Sequence, residues 1–284
     1  MKTIKHVHKA IREDIGDLIT YRAMPLPDVP MNLLDPFILL NHHGYQEYPP
    51  GNNGLPFGPH PHRGFETVTF ILEGDLVHKD TSGAESKIPK DGIQWMTAGR
   101  GLVHAELSSE DFRYQGGPVE LLQLWVNLPA KHKMVEPAYY GALKEELPLL
   151  QTDESRVHIQ VIAGNWEGTS GFVQPLTDIH LARIDFKANG RHTFSVPHDQ
   201  TVLLYVVRGH LRINGESCST HSLVEFNTDG TIIEMKAAED SVVIFGYATP
   251  FHEPFVAYGP FVMNSQEEIR EAYKDYHEGK MGKL

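Results

Sequence analysis

Cysteine is nearly absent from this chain: Cys218 is the only one among 284 residues. A lone thiol makes no intrachain disulfide, excludes Cys-rich zinc, iron–sulfur and CxxC redox sites, and fits a reducing, intracellular home. Positive charge is also scarce, with 25 Lys and Arg against 37 Asp and Glu for a net charge of −12. That balance repels phosphate backbones and anionic lipid surfaces, so unaided nucleic-acid binding is disfavoured. Long apolar runs are missing, and stretches such as Phe37 to Leu40 fall far short of a membrane span. The opening MKTIKHVHKAIREDIG carries charges where a signal peptide needs an apolar core, which makes the cytoplasm the expected location. G-x-S-x-G elbows, P-loops and dinucleotide-binding fingerprints do not occur in convincing context, so nucleophilic hydrolysis and nucleotide chemistry lose ground.

What is present reads as an all-β protein of about two domains. Apolar residues make up 40% and charged residues 22%, ordinary globular usage. Gly (25) and Pro (19) punctuate short runs rich in Val, Ile, Leu, Thr and Phe. Strands are expected at Phe65–Leu72, Gly74–Lys79, Val119–Leu128, Val157–Ala163, Ile179–Phe186, Thr201–Val207, His210–Asn214, Leu223–Phe226 and Ser241–Phe245, a spacing typical of sandwiches and barrels. The Pro- and charge-rich stretch Pro129–Pro148 separates two strand-rich halves, placing a boundary near residue 140 between domains 1–140 and 141–284. The halves share a weak repeat: FETVTFILEGDLVH and TVLLYVVRGHLRIN are each a strand, a Gly turn and a second strand. Near the end, Ser265 and Glu268 fit a capping box, and Ile269, Ala272, Tyr273 and Tyr276 recur at helical spacing, so one amphipathic helix closes the chain. Two cores in one chain make a monomer a reasonable expectation.

Seventeen histidines are the compositional oddity, and their spacing decides which of them matter. His60 and His62 lie two apart, as do His104 and Glu106 further on, and residues two apart on a strand share a face. Two such pairs on neighbouring strands gather three imidazoles and a carboxylate around one point. That donor set suits Fe(II), Mn(II), Ni(II) or Zn(II), with no sulfur to favour a soft ion. The bland alternative for a single His-x-His is a pair of surface histidines; the second pair, following after a hairpin's length of chain, brings the two readings level. Glu66 shares the parity of His62 on an unbulged strand, as a further ligand, a hydrogen-bond acceptor for the site, a proton acceptor or a satisfied buried carboxylate. Adjacent His42 and His43 are expected in a loop without a role. In the second half, His192 and His198 precede the repeat, but counting back from Gly209 as from Gly74 places Ser195 and Pro197 where His60 and His62 stand. No metal is therefore expected there. Cys218 is expected to be exposed or partly buried, with nothing nearby to lower its pKa.

At HPHRGFETVTFILEG, GIQWMTAGRGLVHAE and LLQLWVNLP, and again at EPFVAYGPFVMNSQEEIREAYKDY, the sequence resembles the pirin family of the cupin superfamily. The resemblance spans nearly the whole chain, most specifically residues 58–106, 121–129 and 253–276. It implies a bicupin, two antiparallel double-stranded β-helix (jelly-roll) barrels with a short C-terminal helix and a metal only in the first. The family's ligand set falls on His60, His62, His104 and Glu106, and Glu66 is then not a direct ligand. Gly99 stands where the general cupin pattern has Pro, a departure shared within pirins. Pirins usually carry iron, with Mn, Ni, Zn or Co as substitutes. Several act as quercetin 2,3-dioxygenases, opening a flavonol with O2 and releasing carbon monoxide; others are described as redox-sensitive transcription co-regulators or as partners of metabolic enzymes. In the enzyme reading Glu106 is the candidate base for the flavonol 3-hydroxyl; in the regulator reading the iron's redox change alters a protein-binding surface.

Overall fold

The structure, a computed structural model, describes residues 1–284. Every strand expected from the sequence is present, most with ends shifted by only a residue or two, and the C-terminal helix spans Gln266–His277. The strands build two barrels on one plan, each pairing a seven-stranded with a four-stranded sheet. In the histidine-bearing barrel, five strands of the larger sheet run in the order Ala138–Ala142, Ile93–Thr97, Phe65–Glu73, Gly117–Asn127 and Phe37–Tyr48. The smaller sheet runs Phe57–His62, Leu102–Leu107, Asp75–Asp80 and Glu85–Pro89. In the second barrel the smaller sheet runs Arg191–Ser195, Ile232–Ala237, His210–Ile213 and Glu216–Ser219. The larger carries Thr201–Arg208 beside Ser241–Ala248, with Ile4–Lys9 at its edge.

The repeated strand–Gly–strand segment is a crossover rather than a hairpin. Phe65–Glu73 belongs to the larger sheet and Asp75–Asp80 to the smaller, so Gly74 carries the chain from one to the other. Its φ of 81° lies in the left-handed region, and a Cβ there would stand 2.7 Å from the Pro118 carbonyl oxygen, so only glycine fits. Gly209, with φ of 89°, makes the same passage in the second barrel.

The two compact units are not the halves that a cut near residue 140 would give. One unit comprises residues 12–21, 37–144 and 251–284; the other comprises 1–11, 22–36 and 145–250. The N-terminal strand pairs with Ser222–Phe226 of the second barrel, and the C-terminal helix packs Ile269 and Ala272 with Val103, Phe261 and Met263 of the first. Strand pairing and core contacts between residues some 200 positions apart leave no local signature, which is why composition alone suggested the simpler cut.

The interiors differ in chemistry. The second barrel is filled by apolar side chains including Val157, Ile184, Phe194, Val196, Ile233 and Met235. Cys218 points into this core from Glu216–Ser219 and is fully buried, against the expectation of a partly open thiol, and burial pushes its pKa up to about 11. The first barrel instead buries His62, Glu66, Thr69, His78, Gln94, His104 and Glu106. Buried polar groups cost free energy unless each finds a partner, so this polar interior marks a site.

Candidate metal centre

His60 and His62 lie on Phe57–His62, and His104 lies on the adjacent strand Leu102–Leu107, with His104 in register opposite His60. Alternation sends all three rings to the barrel interior. Their ligating nitrogens lie within 4.8 Å of one another. Ring centroids are 4.3 Å apart for His60 and His104, 4.8 Å for His60 and His62, and 4.9 Å for His62 and His104. His62 and His104 are buried, while His60 is partly open and marks the side of access.

Backbone carbonyls orient two of the rings. His60 Nδ1 lies 2.7 Å from the Gly58 oxygen and His62 Nδ1 3.2 Å from the Pro260 oxygen, contacts that place a proton on Nδ1 and leave Nε2 as a lone-pair donor. His104 Nε2 then lies 2.9 Å from His60 Nε2, and His104 Nδ1 is buried without a hydrogen-bond partner. Burial, reinforced by neighbouring imidazoles, holds His62 down at about 3 and His104 well below the usual histidine range. Converging imidazole nitrogens, two of them on rings that burial keeps neutral, are what a divalent cation requires, and the residues fit one.

Glu106 is buried on the same strand but lies outside the histidine group. Its Oε1 accepts hydrogen bonds from Gln94 Nε2 and from Thr69 Oγ1 (3.2 Å), and its Oε2 accepts one from Gln123 Nε2 at 2.7 Å. Gln123 is fixed in turn by Trp125 Nε1, which donates to its Oε1 at 3.1 Å, and Gln94 by the Tyr139 hydroxyl at 3.2 Å. These amides were not singled out from the sequence. Their signal is a lone Gln inside an apolar strand, IQWMT and LLQLW, where a buried amide (Gln94) or a half-buried one (Gln123) needs a partner.

Glu66 does not join the histidines either. The chain passes from the smaller to the larger sheet at Arg63–Gly64, so parity counted from His62 does not carry across. Thr97 Oγ1 donates to Glu66 Oε1 at 2.6 Å, Oε2 has no hydrogen-bond partner, and burial raises the carboxyl to about 7. The intervening turn is clamped by buried Lys133, whose Nζ donates to the Gly64 oxygen (2.8 Å), Asn127 Oδ1 (2.6 Å) and the Val262 oxygen (3.0 Å). His78, also missed, is fully buried with Nε2 2.8 Å from Asp80 Oδ2, and its ring lies 5.4 Å from that of His104.

His42 and His43 occupy the strand Phe37–Tyr48, not a loop, and both are buried. His42 Nε2 lies 2.9 Å from Glu120 Oε1, and His43 Nδ1 2.9 Å from Thr20 Oγ1. In the second barrel, His192 contacts Thr152 and Glu167, and His198 is exposed. Register corrects the count that placed Ser195 and Pro197 opposite His60 and His62. His78, four residues past Gly74, faces Glu106; Ile213, four past Gly209, faces Met235. Met235 therefore stands for Glu106, Ile233 for His104, Phe194 for His60 and Val196 for His62. The connection back to the repeat is one residue longer in the second barrel, which shifts any count made from the glycine.

Two barrels on one plan, one of them with inward-facing histidines, define a double cupin. Comparison with known proteins agrees: the family pattern described as Pirin matches residues 20–126, and that described as Pirin C-terminal cupin domain matches residues 181–282. Quercetin 2,3-dioxygenase from Acinetobacter baumannii superposes with a TM-score of 0.93 at 33% identity, covering 99% of each chain. A pirin-like protein of Solanum lycopersicum is 34% identical over 283 residues, 98% of this chain and 92% of that one. Homo sapiens pirin is 35% identical over 257 residues, 88% and 83% of the two chains. The chain belongs to the pirin family. No helix in it is long and apolar enough to cross a membrane.

Proposed function

We propose that this protein is a metal-dependent dioxygenase that opens flavonols such as quercetin with O2. The observation that carries the reading is the convergence of His60, His62 and His104 nitrogens within 4.8 Å inside a buried, polar barrel. The likeness over 99% of both chains to a quercetin 2,3-dioxygenase supports the substrate class. His60, His62 and His104 would hold the ion, with Glu106 as the fourth ligand. Fe(II) is the ion this reading assigns; nitrogen and carboxylate donors without sulfur also accommodate Mn, Ni, Zn or Co. A divalent ion bound there supplies Lewis acidity that stabilises an oxyanion on a hydroxyl-bearing substrate.

The chain's own groups do the rest. In this reading Glu106 is the base that takes the flavonol 3-hydroxyl proton, and its carboxylate is oriented by hydrogen bonds from Gln94, Gln123 and Thr69. His60, as the partly open member, faces the incoming substrate. Around His62, buried Phe65 and half-buried Trp125, with ring centroids 5.0 and 5.3 Å away, present an aromatic surface to a planar ring system.

Anaerobic loading with Fe(II), followed by oxygen uptake and carbon monoxide measurement with and without quercetin, tests the reading. The expected result is metal-dependent uptake with stoichiometric carbon monoxide, and loss of both iron and turnover in His62→Ala. Turnover by metal-free protein sinks it. Tight iron binding without uptake replaces it with a redox-responsive protein that acts by binding a partner.

A further inference from the structure

The second barrel has no nitrogen or oxygen ligand at the positions equivalent to His60, His62, His104 and Glu106, which hold Phe194, Val196, Ile233 and Met235, yet it has not closed. A cavity of about 260 Å³ remains, lined among others by Ile159, Trp166, Phe194 and Tyr247, with Thr193 and Ser195 among its polar residues. Phe194, the register counterpart of partly open His60, lines this cavity, so the second barrel keeps an opening where the first has its access.

We propose that this cavity is a metal-free binding site for a small, uncharged planar aromatic molecule of one or two rings bearing an oxygen that accepts a hydrogen bond. Three observations carry the assignment. First, the lining is a preassembled aromatic corner: Trp166 meets Phe194 edge-on at 88° with centroids 5.8 Å apart, and meets Tyr247 at 5.4 Å. Rings this close to one another leave no room for a cation between them, but they present edges and faces to a flat ligand laid against them.

Second, Tyr247 is nine-tenths buried and lines the cavity, and its side chain is held by ring packing. The Trp166 indole N–H is already spent on the Ala163 oxygen at 3.0 Å. The Tyr247 ring is held in place by stacking on His180 across the strand pair, with centroids 4.3 Å apart and planes at 12°. A phenol in the wall of an aromatic-lined cavity offers a hydroxyl donor to an acceptor on the ligand. Third, the charged groups nearby are acidic: Glu167 lines the cavity and Asp178 acts on Tyr247, which disfavours an anion. The volume sits below that of sites for drug-sized ligands, roughly 300–1,000 Å³, and limits the occupant to one or two rings.

The site is readable without metal or turnover and does not rest on the dioxygenase reading. Trp166 is one of three tryptophans and the only one in this barrel; Trp95 and Trp125 belong to the other. Full-length protein labelled with 5-fluorotryptophan and titrated with 1-naphthol therefore reports each barrel separately by fluorine NMR. The expected result is a saturable shift of the Trp166 resonance, the same in chelator-treated and Fe(II)-loaded protein. Ser195→Trp, which adds bulk at an exposed position on the cavity wall, should weaken binding at least tenfold. Tyr247→Phe should weaken 1-naphthol about tenfold while leaving naphthalene unchanged, a split that general loss of structure would not produce. Absence of a saturable Trp166 shift, shifts confined to Trp95 and Trp125, or unchanged binding in both variants would overturn the proposal. Saturation of the Trp166 resonance by tetramethylammonium instead would reassign the cavity to organic cations.

Discussion

At the scale of single residues, Glu66 shows how a barrel interior sets chemistry. Burial raises its carboxyl from the ordinary 4.5 to about 7, outweighing the Thr97 hydrogen bond, which favours the carboxylate. The folded state therefore binds a proton that the unfolded state has released. The stability this lends is complete below about pH 4.5 and is lost as pH rises through 7, a difference of about 3 kcal/mol. Glu66→Gln copies the protonated shape and cannot ionise. In chelator, urea unfolding should find it more stable than the parent by about 2–3 kcal/mol at pH 8 and equal to it near pH 4.5. Equal stability at both pH values would mean that the carboxylate finds donors at Oε2 after all.

The same scale decides what was legible in the site. His60, His62 and His104 could be picked out because two pairs of ligand-type residues, His60 with His62 and His104 with Glu106, share the strand spacing and lie a hairpin's length apart, whereas His6 and His8 have no second pair to meet. The Gln94 and Gln123 that orient Glu106, and the Lys133 that clamps the turn after His62, are ordinary residue types. Only their burial and partners give them meaning, and those arise from strand neighbours far away in sequence.

At the scale of elements, the C-terminal helix was readable to its first residue because its start is a local chemical device. Ser265 Oγ accepts from the Glu268 N–H at 3.2 Å, and the Glu268 carboxylate accepts from the Ser265 N–H at 3.0 Å. Ile269 and Ala272 face the core one turn later, as the helical period requires. Ser265→Ala removes one half of the box and should cost about 1 kcal/mol, read as a lower urea midpoint with an unchanged slope. Because this helix packs against Val103, the neighbour of His104, the loss should also raise the iron dissociation rate of loaded protein. A variant with the parent's midpoint would show that packing alone holds the helix. Strand Phe37–Tyr48 was harder to read, since its apolar run gives way at Asn41 to the polar NHHGYQEY. The long pairing with Gly117–Asn127 supplies what local pattern does not, and it converts a suspected loop into the buried seat of His42 and His43.

At the scale of the molecule, each terminus completes the barrel built from the far end of the chain, and this sets what a dissected protein can do. A fragment of residues 1–140 lacks the Pro260 oxygen that orients His62, the Val262 oxygen that satisfies Lys133, and the Phe261, Met263 and Ile269 side chains that cover Val103. Its buried lysine and its histidine cluster would each lose a fixed partner, an outcome more damaging than the loss of apolar area alone. A fragment of residues 141–284 lacks Ile4–Lys9, which leaves Ser222–Phe226 as an open edge, and lacks Lys2, whose buried Nζ donates to the His198 and Asp229 oxygens. Expressed separately, neither fragment should give a cooperative thermal transition, and 1–140 should bind Fe(II) at least a hundredfold more weakly than the full chain. Calorimetry and equilibrium metal titration check both expectations. A cooperative melt and full affinity in isolated 1–140 would restore the cut near residue 140 and make the C-terminal helix an accessory of the histidine-bearing barrel instead of part of its core.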